Sequence, residues 1–204
     1  MERAPIQGED GYTWDDYRSW TDDQRWEIIG GVAYAMTYAP TTWHQWIQHR
    51  LSHHFTERLE GRECVHYTAT TDVKLSDEDI VQPDLLIVCD RSQIHQTHIE
   101  GAPALVVEIL SPSTMTHDKS RKMELYAKAG VREYWTVQVY PALVEVYVLD
   151  GESYRAAAAY DATETLTSPT LTGLEIDLKQ VYDFPNESPG IQLVKEEAAP
   201  FGSQ

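Results

Sequence analysis

Leu105-Val-Val-Glu-Ile-Leu110 is an apolar segment with one carboxylate inside it. Its β-branched residues predict a strand. Because side chains alternate between the two faces of a strand, Val106, Glu108 and Leu110 share a face. Placing a glutamate among buried residues costs several kcal/mol unless the carboxylate is protonated, paired or bound to a cation. Glu108 is therefore the first candidate for a functional residue.

A second carboxylate, Asp84, begins the preceding apolar strand in Pro83-Asp-Leu-Leu-Ile-Val88. If the two strands are neighbours in a sheet, Asp84 and Glu108 meet near one edge of it. Carboxylates about 4–6 Å apart repel each other unless a divalent cation lies between them, and Mg²⁺ binds one or two carboxylates together with water and phosphate oxygens. The same residues allow another interpretation, in which Asp84 caps a turn and Glu108 pairs with an arginine or lysine.

The segments around these strands predict an α/β fold with a mixed central β-sheet. Residues 43–59 form the clearest helix, because Trp43, Ile47, Leu51 and Phe55 recur every four residues. Strands that are apolar on both faces imply a sheet covered on both sides. The other predicted elements are helices over 13–20 and 118–129, a hairpin or a turn followed by a strand over 25–36, and strands over 65–75, 80–89, 104–110, 133–140, 143–149 and 154–160.

The composition narrows the class of protein. The chain has 204 residues, 42% of them hydrophobic, and a formal net charge of −17, which suits one globular domain and argues against a broad basic surface. The apolar runs are too short to cross a bilayer, and the start of the chain lacks the apolar stretch of a signal peptide. Two cysteines, Cys64 and Cys89, exclude a disulfide framework and a four-cysteine zinc site. We therefore expect a cytoplasmic protein without a membrane contact.

Motifs spread over most of the chain follow a single pattern. They are Trp26-Glu-Ile-Ile-Gly-Gly31, His44, Pro83-Asp-Leu-Leu-Ile-Val88, Pro103-Ala-Leu-Val-Val-Glu-Ile-Leu-Ser-Pro-Ser113, Asp118 with Lys122 and Tyr126, and Gly130-Val-Arg-Glu-Tyr-Trp135. The pattern resembles the restriction-endonuclease-like family that was formerly a bacterial domain of unknown function and is expanded in photosynthetic bacteria. That family belongs to the PD-(D/E)-x-K nuclease superfamily.

The resemblance implies a restriction-endonuclease-like core, in which helices flank a mixed central sheet and a divalent metal lies at the sheet edge. It covers residues 12–184, so that residues 1–11 are an N-terminal extension and residues 185–204 a flexible C-terminal tail. It implies that Asp84, Glu108 and the main-chain carbonyl of Ile109 bind Mg²⁺ or Mn²⁺. Glu27 matches an acidic residue that completes the site through a metal or a water.

The position of the catalytic lysine departs from the superfamily pattern. That lysine normally stands two residues after the glutamate, where this chain has Leu110. The resemblance implies that Lys122 on the next helix replaces it, with Lys119 as the second candidate. Further accessory candidates are His44, Gln82 and Ser111. Three roles are open for His44: it contacts a phosphate, it helps to hold Glu27, or it only caps or packs in its helix.

Two functions follow from these observations. The resemblance implies a metal-dependent endonuclease that hydrolyses phosphodiester bonds, in DNA rather than RNA, and acts as a homodimer. The alternative is a catalytically inactive binding or interaction module, which the net charge of −17 and the missing in-strand lysine favour. Outside this pattern, His49 and His53 have the spacing of a helical metal pair, but no third ligand lies nearby. His95-x-x-His98 lies in a polar loop and is a still weaker metal candidate.

Overall fold

The structure is a computed structural model that describes residues 11–21, 24–36, 40–110 and 117–185, with side chains in the last range from residue 120 onward. Most of the expected N-terminal extension and C-terminal tail lies outside these ranges. The elements, in chain order, are α1 (Trp14–Ser19), β1 (Trp26–Ile29), β2 (Val32–Ala35), α2 (Thr42–Leu59), β3 (Val65–Thr68), β4 (Val73–Lys74), β5 (Ile80–Val81), β6 (Leu85–Val88), a 3-10 helix (Arg91–Gln93), β7 (Ile99–Glu100), β8 (Leu105–Leu110), α3 (His117–Ala129), β9 (Glu133–Gln138), β10 (Leu143–Asp150), β11 (Ser153–Asp161), β12 (Thr165–Thr167), β13 (Glu175–Asp177) and α4 (Leu178–Val181).

The central sheet has six strands in the order β11-β10-β9-β8-β6-β3. Its one parallel pair in the described chain is β8 with β9, and α3 connects these two strands. The other neighbours are antiparallel. The predicted α/β fold with a mixed central sheet flanked by helices is therefore confirmed.

The two faces of this sheet bury different residues because the strands alternate. Leu85, Ile87 and Val107 pack with Leu51 and Phe55 on the side of α2. Their neighbours in the same strands pack on the side of α3; this second set includes Leu86, Val88, Val106, Tyr126 and Tyr134. Every one of these side chains is at most 1% exposed, so the sheet is covered on both faces, as predicted.

A second, five-stranded sheet has the order β2-β1-β5-β4-β7. Its presence corrects the prediction of continuous strands over 65–75 and 80–89, because each of those segments contributes one strand to each sheet. Pro83 interrupts the second segment, since proline has no N–H for a strand ladder. Asp84 lies directly after this break, and β6 begins at the next residue.

The N-terminal elements support the second sheet. Thr13 caps α1, and its hydroxyl and the carboxylate of Asp16 form a reciprocal capping box. Gly30 and Gly31, with φ of 57° and 73°, make the tight turn that joins β1 to β2. Gly31 also approaches the backbone of Gly11 closely: a Cβ atom on Gly31 would lie 3.3 Å from the Cα atom of Gly11.

The cysteine count excludes a framework of several disulfides, but the structure joins Cys64 and Cys89 in one disulfide. The bridge links the antiparallel pair β3 and β6 just beyond its last register pair, Val65 with Val88. Because disulfides are rare in cytosolic proteins, the two cysteines no longer support the expected cytoplasmic location. Among the described residues, no helix combines the length and hydropathy needed to cross a bilayer.

Candidate active site

Two of the predicted residues meet where β6 and β8 run side by side. The register pairs Leu85 with Val107 and Leu86 with Val106, so its continuation by one residue places Asp84 opposite Glu108. The backbone N–H of Ile109 donates to Oδ2 of Asp84 at 2.8 Å. This bond fixes the Asp84 carboxylate beside β8, although Asp84 itself lies outside the strand.

Glu27 reaches the same place from the second sheet. It lies in β1, is only 6% exposed, and its Oε1 accepts a hydrogen bond from the backbone N–H of Gln82 at 3.1 Å. Gln82 is two residues before Asp84, so the turn that ends β5 connects the two acidic residues. The change of sheet that the sequence did not predict is therefore what brings Glu27 to the site.

Lys122 reaches the site from α3, the helix that packs on the Glu108 face of the central sheet. Its Nζ lies 3.0 Å from Oε1 of Glu27 and 3.0 Å from Oε1 of Glu108. Tyr126, one turn later on the helix, donates its hydroxyl to the same Glu108 oxygen at 2.7 Å. Residues four apart share a helix face, which explains why both side chains reach Glu108.

The electrostatics of the site are dominated by negative charge. Glu27 and Glu108 contact the ammonium group of Lys122, and Asp84 adds a third carboxylate close enough to Glu108 to affect its pKa. Burial, together with repulsion from Asp84 and Glu27, raises the pKa of Glu108 to about 7, although Lys122 and the Tyr126 hydroxyl act in the opposite direction. Burial alone would lower the pKa of Lys122, but the two glutamates outweigh it and hold that pKa well above its usual value.

The helix α2 contributes two contacts to Asp84. Nε2 of His44 lies 3.2 Å from Oδ2 of Asp84, and Gln48 donates through its side-chain amide to the main-chain oxygen of Asp84 at 2.9 Å. Nδ1 of His44 is buried and has no hydrogen-bond partner among the described residues. Of the roles considered for His44, the structure places it against Asp84 rather than Glu27.

The remaining accessory candidates have mixed outcomes. The Gln82 side chain accepts from Arg25 at 2.8 Å and donates to Asp72 at 2.7 Å, so Gln82 meets the acidic site through its backbone N–H and not through its amide. Leu110, at the usual lysine position, is buried at the end of β8. Ser111 and the side chain of Lys119 lie outside the described residues.

Sequence reasoning missed the site contacts of two residues. Tyr126 is part of the quoted pattern, but a tyrosine four residues after Lys122 is expected to be core packing unless a carboxylate faces it. Gln48 follows His44 by the same interval of four residues, and that spacing was the available signal.

Comparison with known proteins is consistent with this arrangement. A model of the Uma2 family, described as "Putative restriction endonuclease", matches residues 14–179. The chain belongs to this family. It is 28% identical over 174 residues to "Uncharacterized protein slr1290" of Synechocystis, an alignment that covers 82% of this chain and 90% of the relative.

A solved structure shares the fold of this family member. It is the crystal structure of "a putative nuclease belonging to DUF820" from Anabaena variabilis, which superposes with a TM-score of 0.68 over 83% of this chain and 97% of the other. The sequence identity is 17%, so this likeness concerns the fold. Together with the family match, it gives the protein a nuclease-like fold.

The residues of the site suit a divalent cation. Restriction-endonuclease-like families generally use divalent metals, and carboxylate oxygens are the hard ligands that Mg²⁺ and Mn²⁺ prefer. Three carboxylates against one ammonium leave an excess of negative charge, and repulsion from Asp84 and Glu27 adds to the effect of burial, which is the main cause of the raised pKa of Glu108. A dication beside Asp84 and Glu108 would remove this repulsion.

Proposed function

We propose that the protein is a divalent-metal-dependent endonuclease that hydrolyses phosphodiester bonds, with DNA as its substrate. One observation carries the proposal: Glu27 and Glu108 meet at the ammonium of Lys122, and Asp84 lies beside Glu108, so that three carboxylates face one ammonium. Membership of a nuclease-like family implies a nucleic-acid substrate.

We assign metal binding to Asp84, Glu108 and the carbonyl of Ile109, with Glu27 completing the site. The N–H and C=O of one strand residue point to the same side, as in the hydrogen-bonded pairs of antiparallel sheets. The N–H of Ile109 binds Asp84, and its carbonyl is therefore directed to the same edge. His44 and Gln48 position Asp84 from α2.

Lys122 carries the positive charge of the site. When bound, the metal ion polarises the scissile phosphate and lowers the pKa of a water. Lys122 stabilises the negative charge that develops on the phosphate and orients the attacking water. Its ammonium lies between Glu27 and Glu108, which keep it protonated over the whole physiological pH range. Tyr126 holds Glu108 in place during this chemistry.

The proposal is tested first by metal binding, because the substrate sequence is unknown. We expect Mn²⁺ and Mg²⁺ to bind the wild-type protein in titration calorimetry, and we expect Asp84→Asn to abolish this binding. Glu133→Gln is the matched control, because Glu133 is a fully buried glutamate of the same sheet whose partners are Trp135, Ser168 and Thr170. Equal binding by wild type and Asp84→Asn would refute the assigned metal site.

Cleavage is the second test. Supercoiled, linear and single-stranded DNA and a matched RNA are incubated with Mn²⁺, and Lys122→Met is compared with the wild type. We expect nicking of DNA that requires both the metal and Lys122. Metal binding that depends on Asp84 without cleavage of any substrate would favour the alternative, a catalytically inactive module, which the net charge of −17 already supports.

Two further assignments accompany this function. We propose a homodimer, which would align two sites along one duplex, and light scattering of the full chain measures its mass directly. We also propose a cytoplasmic location, where chromosomal or invading DNA is accessible. Fractionation of the native host tests it, and recovery of the protein outside the cytoplasmic fraction would refute it.

A further inference from the structure

A second group of potential metal ligands lies away from the acidic site. His95, His98 and Glu100 each offer one ligand atom, and these three atoms all lie within 4.8 Å of one another. The group lies between the 3-10 helix and the end of β7. The sequence showed the two histidines, but the fold is what adds a carboxylate to them.

The backbone of this segment is held in a defined shape. Ile94 and Ile99 form an antiparallel bridge, and the N–H of His95 donates to the carbonyl of His98 at 2.9 Å. The bridge returns the chain on itself, so that residues on either side of it face each other. The two imidazole rings are consequently almost parallel, with an interplanar angle of 10° and centroids 4.8 Å apart.

We propose that His95, His98 and Glu100 form a binding site for Zn²⁺. Two imidazole nitrogens and one carboxylate oxygen are a common ligand set for zinc, which leaves the fourth position of the tetrahedron for water. This site is distinct from the proposed nuclease centre and does not rest on that function, since its ligands include nitrogen atoms that Mg²⁺ does not favour.

The distances fit the size of the ion. Nε2 of His95 lies 3.2 Å from Oε2 of Glu100, and ligand atoms around tetrahedral zinc are roughly 3.3 Å apart when bonds are about 2.0 Å long. The His98 nitrogen lies within 4.8 Å of this pair, so a movement of at most about 1.5 Å brings it to the separation that tetrahedral zinc requires. Such a movement is small for side chains of which two are exposed and one is half-buried.

Neighbouring residues orient the ligands, as outer contacts do in metal sites. Lys74 lies 3.2 Å from Oε1 of Glu100 and leaves Oε2 directed to His95. The hydroxyl of Thr97 lies 3.1 Å from Nδ1 of His98, which leaves Nε2 as the ligand atom. The ring of Trp14 packs on His98 with a centroid distance of 4.5 Å and covers one side of it.

Lys74 also gives the proposal a specific signature. Its ammonium is a positive charge beside the carboxylate that would bind the cation, and Coulomb repulsion weakens binding. Replacement by methionine keeps the length of the side chain and removes the charge. We expect Lys74→Met to bind Zn²⁺ severalfold more tightly than the parent protein, an effect that non-specific binding elsewhere on the surface would not show.

The experiment is titration calorimetry with ZnCl₂ at pH 7.5 on the full chain carrying Asp84→Asn and Glu108→Gln, which removes the acidic site. We expect one saturable binding event that His95→Asn or Glu100→Gln weakens at least tenfold. The matched control is His53→Asn, because His53 also faces a glutamate, Glu57, at 3.5 Å on the exposed side of a helix. Circular dichroism confirms that each variant is folded.

The outcomes separate this site from the nuclease centre. Loss of binding in His95→Asn and Glu100→Gln, with full binding in His53→Asn, supports the zinc site whether or not the protein cleaves DNA. Zn²⁺ binding that is unchanged in His95→Asn, or equally reduced in His53→Asn, overturns the proposal. Absence of any Zn²⁺ binding in the parent protein overturns it as well.

Discussion

Glu108→Gln should stabilise the folded protein, and the gain should depend on pH. The pKa of Glu108 is about 7 in the folded protein, against an ordinary value of 4.5. Because folding raises the pKa of this acid, the folded state binds the proton more tightly than the unfolded state does. The free energy of unfolding therefore falls as the pH rises from 4.5 to about 7. At about 1.4 kcal/mol per pH unit, this interval corresponds to a cost of roughly 3 kcal/mol at pH 8.

Glutamine has nearly the shape of a protonated glutamate and carries no charge. The Tyr126 hydroxyl can still donate to its oxygen, and Lys122 keeps its contact with Glu27. We therefore expect the free energy of unfolding of Glu108→Gln to exceed that of the wild type by about 1–3 kcal/mol at pH 8.5. At pH 5 the two values should be nearly equal. The measurement is urea unfolding at pH 5, 7 and 8.5 with EDTA, which removes bound cations.

A control distinguishes this effect from a general response to glutamine. Glu133 is also buried, but its carboxylate accepts hydrogen bonds from Trp135, Ser168 and Thr170. Glu133→Gln replaces one acceptor oxygen by an amide that cannot accept, so it should destabilise the fold by about 1–3 kcal/mol. The reasoning is refuted if Glu108→Gln is less stable than the wild type at pH 8.5, or if its difference from the wild type does not change with pH.

Three other predictions follow from the same contacts. Tyr126→Phe removes a donor to Glu108 and should cost about 1.5–3 kcal/mol at pH 8 but less at pH 5, as urea unfolding at both pH values would show; equal losses would contradict it. Below a pH of about 7 a proton competes for Glu108, so Mn²⁺ affinity should fall up to tenfold per pH unit there and level off above pH 8. Calorimetry across this range measures the affinity, and a value that does not change with pH would contradict the prediction. Denatured, unreduced protein should show no free thiols, because Cys64 and Cys89 are paired; two reactive thiols in a thiol assay would contradict the bridge.

Local signals in the sequence were sufficient for most elements. The four-residue apolar spacing predicts a helix over 43–59, and α2 is Thr42–Leu59. The predicted helix over 13–20 and the hairpin over 25–36 are likewise determined by neighbouring residues, the capping box at Thr13 and the turn at Gly30 and Gly31, and the structure agrees with both predictions. A helix or a tight turn is determined within a few residues, and sequence patterns describe that range well.

Strand partnership was less accessible. Residues 65–75 and 80–89 read as two continuous strands, yet each divides between the sheets. Pro83 is a local signal for the break in the second segment, but the bond from the Gln82 backbone N–H to Glu27, 55 positions away, has no local signature. Gln82 was predicted as an accessory residue of the site, and it is its backbone N–H that contacts Glu27.

The lysine of the site illustrates why spacing along the chain is a poor measure of proximity at a sheet edge. A side chain two residues after Glu108 lies on the same face of β8, and in this protein that side chain is Leu110, which is apolar and buried. The helix α3 covers the same face, and Lys122 reaches Glu108 from there at 3.0 Å. A strand position and a helix position that face one another can thus supply the same charge to one carboxylate. For the proposed function, the charge beside Glu27 and Glu108 matters more than the element that supplies it, and in this protein α3 supplies it through Lys122.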